Sequence, residues 1–216
     1  MKPGCLKNYR RKYFRRRHDL FMEEMMAKFY EVRWHGRGGQ GTVTGAKSLG
    51  EAVQGGGKFV VAFPEYGPER RGAPLRAFNR FSDHEIRIHT PVQNPDVVIV
   101  VDPTLIGNGK IIAGVKPETR YIVNTRRPVE EIKALLKADT QKVFTIPANR
   151  ISRELFKKEI PNSAMMGAFA KASGHIISID QLIKEAEHVF AKMLPPELVQ
   201  KNLEAMRLGY ESGEEI

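Results

Sequence analysis

Tyr30-Glu31-Val32-Arg33-Trp34-His35-Gly36-Arg37-Gly38-Gly39-Gln40-Gly41 begins as a short extended run and stops at a cluster of glycines. Residues 42–52 then read as a helix, and Phe59-Val60-Val61-Ala62-Phe63 as a buried strand. Strand, glycine loop, helix and strand in that order form a βαβ unit, which implies parallel pairing through a right-handed crossover. The glycines fit G-x-G-x-x-G in its required context, after a strand and opening a helix. Such a loop lets backbone approach an anion closely, and the helix N-terminus behind it offers free N–H groups. Arg37 adds a positive charge. The residues therefore suit a phosphate or pyrophosphate; the alternative is that the glycines serve only tight strand–helix packing. For a nicotinamide dinucleotide the second strand should end in an acid about 20 residues on, but this one runs Phe63-Pro64-Glu65, late and past a proline.

The series continues outward. Asp96-Val97-Val98-Ile99-Val100-Val101-Asp102 is a β-branched run bounded by acids and Pro103, the pattern of a strand buried on both faces. Tyr121-Ile122-Val123-Asn124 and Val143-Phe144-Thr145-Ile146 follow. Between them Pro128 opens a helix whose apolar face is Val129, Ile132, Leu135 and Leu136. Residues 75–81 and 85–90 are separated only by Ser82-Asp83-His84, too short for a parallel crossover, so an antiparallel edge hairpin is expected with Ile86 and Ile88 inward. Ser178-Ile179-Asp180-Gln181 is a capping box for a helix through Phe190, and Pro195-Pro196 starts a last helix ended by Gly209. The expected fold is α/β, a three-layer Rossmann-like domain over residues 29–216 with a mostly parallel sheet and an antiparallel edge hairpin.

Composition narrows the chemistry. The 216 residues carry 35 Lys and Arg against 25 Asp and Glu, a net charge of +10. Nine basic and three acidic side chains lie in residues 1–28, a net of +6, which leaves +4 for the body. The basic extension could attract phosphate backbones or anionic lipid, could be a solvated arm, or could precede a true start at Met22, Met25 or Met26. The near-neutral body gives no reason to expect nucleic-acid binding. No apolar run approaches the roughly 18 residues of a membrane-spanning helix. One cysteine, Cys5, excludes a disulfide framework, a thiolate zinc site and a cluster held by this chain alone, and a reducing cytoplasm is the expected compartment. The histidines show no ligand spacing, so no metal site is expected, and His35 reads as a structural residue. Glu65-Tyr66-Gly67-Pro68-Glu69-Arg70-Arg71-Gly72-Ala73-Pro74 should sit at the carboxyl ends of the strands. There its charges could clamp an anion, dock a partner, or form an internal Glu–Arg network. Asn124 and Asn162 add polar groups at a strand end and a helix start, whereas Met165 and Met166 read as packing.

Residues 33–41, followed by residues 62–74, resemble the gamma subunit of 2-oxoacid:ferredoxin oxidoreductases, most closely the pyruvate branch. Asn94-Pro95-Asp96, Asp102-Pro103-Thr104-Leu105, Asn124-Thr125 and Pro161-Asn162 fall in the family's order, and the likeness spans about residues 29–210. The resemblance implies an enzyme that decarboxylates a 2-oxoacid on thiamine diphosphate with Mg, passes electrons through iron–sulfur clusters to ferredoxin, and releases an acyl-coenzyme A. No Gly-Asp-Gly of a thiamine site is present. The cofactors then belong to alpha, beta and delta partner subunits, and this chain is inactive alone. It implies for this chain a part in assembly and in coenzyme A binding; that Gly36, Arg37, Gly38, Gly39, Gln40 and Gly41 take the coenzyme's phosphates is a hypothesis from the chemistry of the loop. Glu65, Tyr66, Glu69, Arg70, Arg71, Asn124 and Asn162 are then the active-site or interface residues. A stand-alone nucleotide-binding protein is the competing class.

Overall fold

The computed structural model describes residues 29–65 and 72–215. β1 (Tyr30–Arg37) lies inside one seven-stranded sheet and is flanked by β3 (Pro74–Ser82) and β4 (Val97–Val100). The order is completed by β2 (Phe59–Glu65) at one edge and by β5 (Arg120–Asn124), β6 (Lys142–Ile146) and β7 (Glu214–Glu215) on the other side. β1, β2, β4, β5 and β6 run one way; β3 and β7 run against them. The all-buried Val-Val-Ile-Val of β4 confirms the reading of a strand covered on both faces.

Two expectations about pairing are corrected. β1 and β2 share a direction but are not neighbours, because β3 is inserted between them and is antiparallel to both. The edge hairpin is therefore β2–β3, and residues 85–90 form no strand. Ile86 is buried and Ile88 half-buried because a loop is clamped onto the sheet, with the Arg80 guanidinium donating to the Ile88 carbonyl at 3.1 Å. A side-chain alternation of period two thus arose without a ladder.

One face of the sheet carries α1 (Thr42–Gly55), α5 (Asn162–Ala172), α6 (Ile179–Ala191) and α7 (Pro196–Glu211), with α4 (Ala148–Phe156) against α7. The other face carries α3 (Val129–Leu136), a 3-10 turn (Pro103–Leu105) and the one-turn α2 (Gly109–Ile112). In α3, Val129, Ile132 and Leu136 are buried but Leu135 is 47% exposed, since the actual stripe follows the i, i+3, i+7 spacing. Ser178 caps α6 by accepting from the Gln181 N–H at 3.2 Å. α5 is enclosed almost all round, Met165 and Met166 included. α7 does not stop at Gly209 but continues to Glu211, because Gly209 is a packing residue and not a cap: a Cβ there would overlap the Ala164 carbonyl oxygen of α5.

Candidate functional site

The site is built where the carboxyl ends of β1, β4 and β5 meet the N-termini of α1 and α5. β1 ends in Gly36 and Arg37, and the chain turns through Gly38 to Gly41 into α1. A Cβ at Gly36 would collide with the Thr42 hydroxyl and press on Val101, so the first side chain of the helix packs directly on the strand backbone there. Gly41 is the N-cap of α1 at φ 75°, a left-handed conformation that favours glycine, and it offers no side-chain cap. No acidic residue occupies the first turn either. The leading N–H groups of α1 thus keep their donor capacity and the positive end of its dipole.

Beside Gly41 stands Asn162, first residue of α5. A Cβ at Gly41 would lie 3.1 Å from its Cγ and 3.2 Å from its Nδ2. Asn162 is only 7% exposed, and among the described residues its carboxamide has no hydrogen-bond partner. α5 likewise has neither a side-chain cap nor a first-turn acid. Two uncapped helix N-termini and one unpaired amide therefore converge on the glycine loop, an arrangement suited to an anion.

The loop's charged side chain is already engaged. Arg37 Nε meets Asp102 Oδ2 at 3.0 Å, and its terminal nitrogens donate to the Gly72 carbonyl and to Thr104 Oγ1, each at 3.1 Å. Gln40 braces the same corner: its Oε1 accepts the Arg37 N–H at 2.8 Å, and its Nε2 donates to Asp102 Oδ2 at 2.8 Å. Asp102 also accepts from the Thr104 N–H and hydroxyl. Burial pushes its carboxyl up, but the bonds from Thr104 and Gln40 and the charge of Arg37 outweigh burial and hold it below the ordinary carboxylate range. Three of the five N–H groups of Arg37 are thus used, and two remain for a ligand. With the Gly38 N–H on the Ala73 carbonyl at 3.2 Å, Arg37 also fastens Gly72 and Ala73, just before β3, to the glycine loop.

The other sequence candidates divide. Asn124 lies at the end of β5 but is spent on structure: its Nδ2 donates to the Val101 carbonyl and to Asn149 Oδ1, and its Oδ1 accepts the Asn149 N–H. Glu65 pairs with Arg76 of β3 at 2.7 Å. Tyr66, Glu69, Arg70 and Arg71 lie outside the described residues. Sequence reasoning assigned no role to Asp102 and Thr104 in the brace; an Asp that leaves a buried strand before Pro-Thr was the available signal.

His35 is 4% exposed and its Nε2 accepts from Arg33 Nε at 3.1 Å, which places the ring proton on Nδ1. Burial first, then the charges of Arg33, Arg76 and Lys110, lower its pKa to about 3. It is a neutral structural acceptor, not a general base. Unfolded histidine protonates near pH 6.5 while the folded residue stays neutral down to about 3. The unfolded state therefore binds the extra proton, and stability falls as the pH drops through that window, by up to about 1.4 kcal/mol per pH unit. Urea unfolding of His35→Gln against the parent from pH 7 to pH 4.5 should show a flatter acid slope in the variant. Equal slopes would assign the acid sensitivity to other groups.

Among the described residues no three His, Cys, Asp or Glu side chains are grouped to hold a metal ion, and no helix is long and apolar enough to cross a membrane.

This architecture recurs in known proteins. Residues 31–212 match the family model of pyruvate ferredoxin/flavodoxin oxidoreductase. The chain is 41% identical over 184 residues to pyruvate synthase subunit PorC of Thermotoga maritima, covering 85% of this chain and 94% of that one. It is 45% identical over 186 residues to the common gamma subunit of the pyruvate/ketoisovalerate oxidoreductases of Pyrococcus furiosus, covering 85% and 97%. The crystal structure of the pyruvate oxidoreductase subunit PORC from Thermotoga maritima superposes with a TM-score of 0.76 at 37% identity, over 87% of this chain and 98% of that one. With a family model matched across most of its length and relatives of this identity, the chain belongs to the pyruvate ferredoxin/flavodoxin oxidoreductase family.

Proposed function

We propose that this chain is the gamma subunit of a multi-subunit 2-oxoacid:ferredoxin oxidoreductase, with pyruvate as the favoured oxoacid, and that its glycine loop receives the pyrophosphate of coenzyme A. The single observation that carries the second half is the convergence of the uncapped N-termini of α1 and α5, with the unpaired Asn162 amide between them. Free first-turn N–H groups and an amide donor suit phosphate oxygens, and two N–H groups of Arg37 remain to add charge.

The first half is supported by the family, by relatives named as gamma or PorC subunits, and by the likeness of residues 63–74 to the pyruvate branch. Thiamine diphosphate with Mg and the iron–sulfur clusters are assigned to alpha, beta and delta partners, since this chain has one cysteine. Those groups supply decarboxylation and electron transfer to ferredoxin. This chain's own part is to hold and orient the thioester-forming substrate. Residues 29–216 are the unit that docks, and the charged stretch 65–71 is assigned to the active-site or subunit interface from its sequence. Residues 1–28 are an appended basic segment.

A stand-alone dinucleotide oxidoreductase is disfavoured by topology. Glu65 ends β2, but β3 separates β2 from β1, which puts that strand end two strand spacings, about 10 Å, from β1 where a ribose-binding acid needs one, about 5 Å. Glu65 is in any case paired with Arg76.

In the reconstituted complex, Asn162→Ala and Arg37→Ala should each raise the apparent KM for coenzyme A about tenfold, consistent with loss of one charge-assisted hydrogen bond. kcat at saturating coenzyme A and the KM for the oxoacid should stay near the parent values. An unchanged coenzyme A KM in both variants would move the ligand elsewhere while leaving the subunit assignment standing.

A further inference from the structure

At the amino ends of the strands, on the opposite edge of the sheet from the glycine loop, lies a cleft of about 710 Å³ bordered by the starts of β1 and β5 and by the segment after α5. Its size is that of a metabolite-binding pocket. Ile176 and Phe29, both half-buried, supply apolar wall, and Tyr30, Arg120 and His175 supply polar groups.

The charges of the cleft do not cancel uniformly. Lys58 is paired with Asp83 at 2.8 Å and Lys116 with Asp96 at 2.6 Å. Asp96 is further held by the Glu31 N–H. Glu118 is exposed at the rim. Arg120 is half-buried and has no carboxylate within ion-pair distance among the described residues; its side chain makes one long contact, 3.4 Å to the Tyr30 hydroxyl. That hydroxyl is shared with Ser173 Oγ at 2.8 Å. His175 stands edge-on to the Tyr30 ring at 4.9 Å and makes no hydrogen bond among the described residues. His175 is exposed at the mouth of the cleft; partial desolvation first, then the charges of Arg120 and Lys58, lower its pKa against the opposing pull of Asp96.

We propose that this cleft binds an organic monocarboxylate with an apolar body, its carboxylate on the Arg120 guanidinium and its body against Phe29 and Ile176. A guanidinium with most of its five donors unused matches a carboxylate in a bidentate fork. Among the described residues Arg120 is the cation of the lining without a carboxylate at ion-pair distance, and one guanidinium matches one carboxylate better than two. Tyr30 and His175 are placed to hydrogen-bond a further polar group on the ligand.

The probe is 2-naphthoate, titrated into the full-length chain by calorimetry, with the neutral isostere 2-naphthalenemethanol as the comparison. The expected result is saturable one-to-one binding of 2-naphthoate, at least tenfold tighter than the alcohol. Arg120→Gln should weaken it at least tenfold, Arg120→Lys should weaken it less, and Lys133→Gln, a charge removed from α3, should leave it unchanged. Melting curves of each variant identify any that fail to fold; Arg120 contributes only the one long bond, so Arg120→Lys is expected to fold as the parent. The proposal is overturned if the full chain shows no saturable binding, if the alcohol binds equally well, or if both Arg120 variants bind like the parent.

Discussion

Gly209→Ala should lower the stability of the chain by about 3 kcal/mol and its melting temperature by roughly 6–12 °C, and Gly167→Ala should do the same. α5 and α7 cross with their backbones in contact. A Cβ at Gly167 would overlap the Met206 carbonyl oxygen, and one at Gly209 the Ala164 carbonyl oxygen. Neither obstacle is a side chain that can turn aside, so the helices must separate. α5 is the most enclosed helix of the structure, and moving it opens voids against Phe81 and Leu203 while dragging Asn162 from the glycine loop. The usual gain of a Gly→Ala change inside a helix, about 1 kcal/mol, is too small to compensate. Thermal melts of both variants, alone and in the complex, provide the check. A melting temperature within 2 °C of the parent for both would mean that the crossing is looser than its geometry.

Arg33→Leu should cost about 3 kcal/mol or more in urea unfolding, with Arg33→Lys intermediate. Arg33 is 1% exposed, and burial first, then the charge of Arg76, lower its pKa to about 10, which still leaves it a cation at neutral pH. Its nitrogens donate to the carbonyls of Ile111 at 3.0 Å, Ala113 at 2.7 Å and Gln93 at 3.4 Å, and to His35. One side chain thereby fastens α2 and the segment before β4 onto the outer face of the sheet. Leucine would leave those carbonyls without partners, at about 1–3 kcal/mol for each that stays buried. Lysine keeps the charge but cannot span the set, because its ammonium is one point and not a fork. If leucine were tolerated within 0.5 kcal/mol, water must reach the carbonyls and the anchoring role would be lost.

What the sequence revealed follows from the range of the interactions involved. β4, β5 and β6 were legible because a strand buried on both faces must be apolar throughout, and the glycine loop because its residues act through their own backbone. The insertion of β3 between β1 and β2 was not: residues 75–81 are equally good as a strand beside any neighbour, and only the three-dimensional sheet decides which. Residues 85–90 mimicked its partner because Arg80 pins Ile88 from another segment. Gly209 carried the mark of a helix stop, and its real cause, a backbone 45 residues earlier at Ala164, has no local signature. In the site, Gly41 and Asn162 were read individually and the fold brings them together, while Asn124 proved to be held by Asn149 and the Val101 carbonyl. Arg37 looked like a free phosphate ligand because the acid it braces, Asp102, lies 65 positions further along the chain.

The most direct test is an anaerobic affinity purification of the chain, tagged at its carboxyl terminus, from its native cell, followed by identification of the co-purifying chains and assay of coenzyme A-dependent viologen reduction with each 2-oxoacid. A brown complex with thiamine- and cluster-binding partners, active with pyruvate, is the predicted result. Activity only with 2-oxoisovalerate or 2-oxoglutarate would keep the gamma role and change the substrate. A colourless chain that elutes alone, without oxoacid-dependent activity, would contradict the assignment as a gamma subunit.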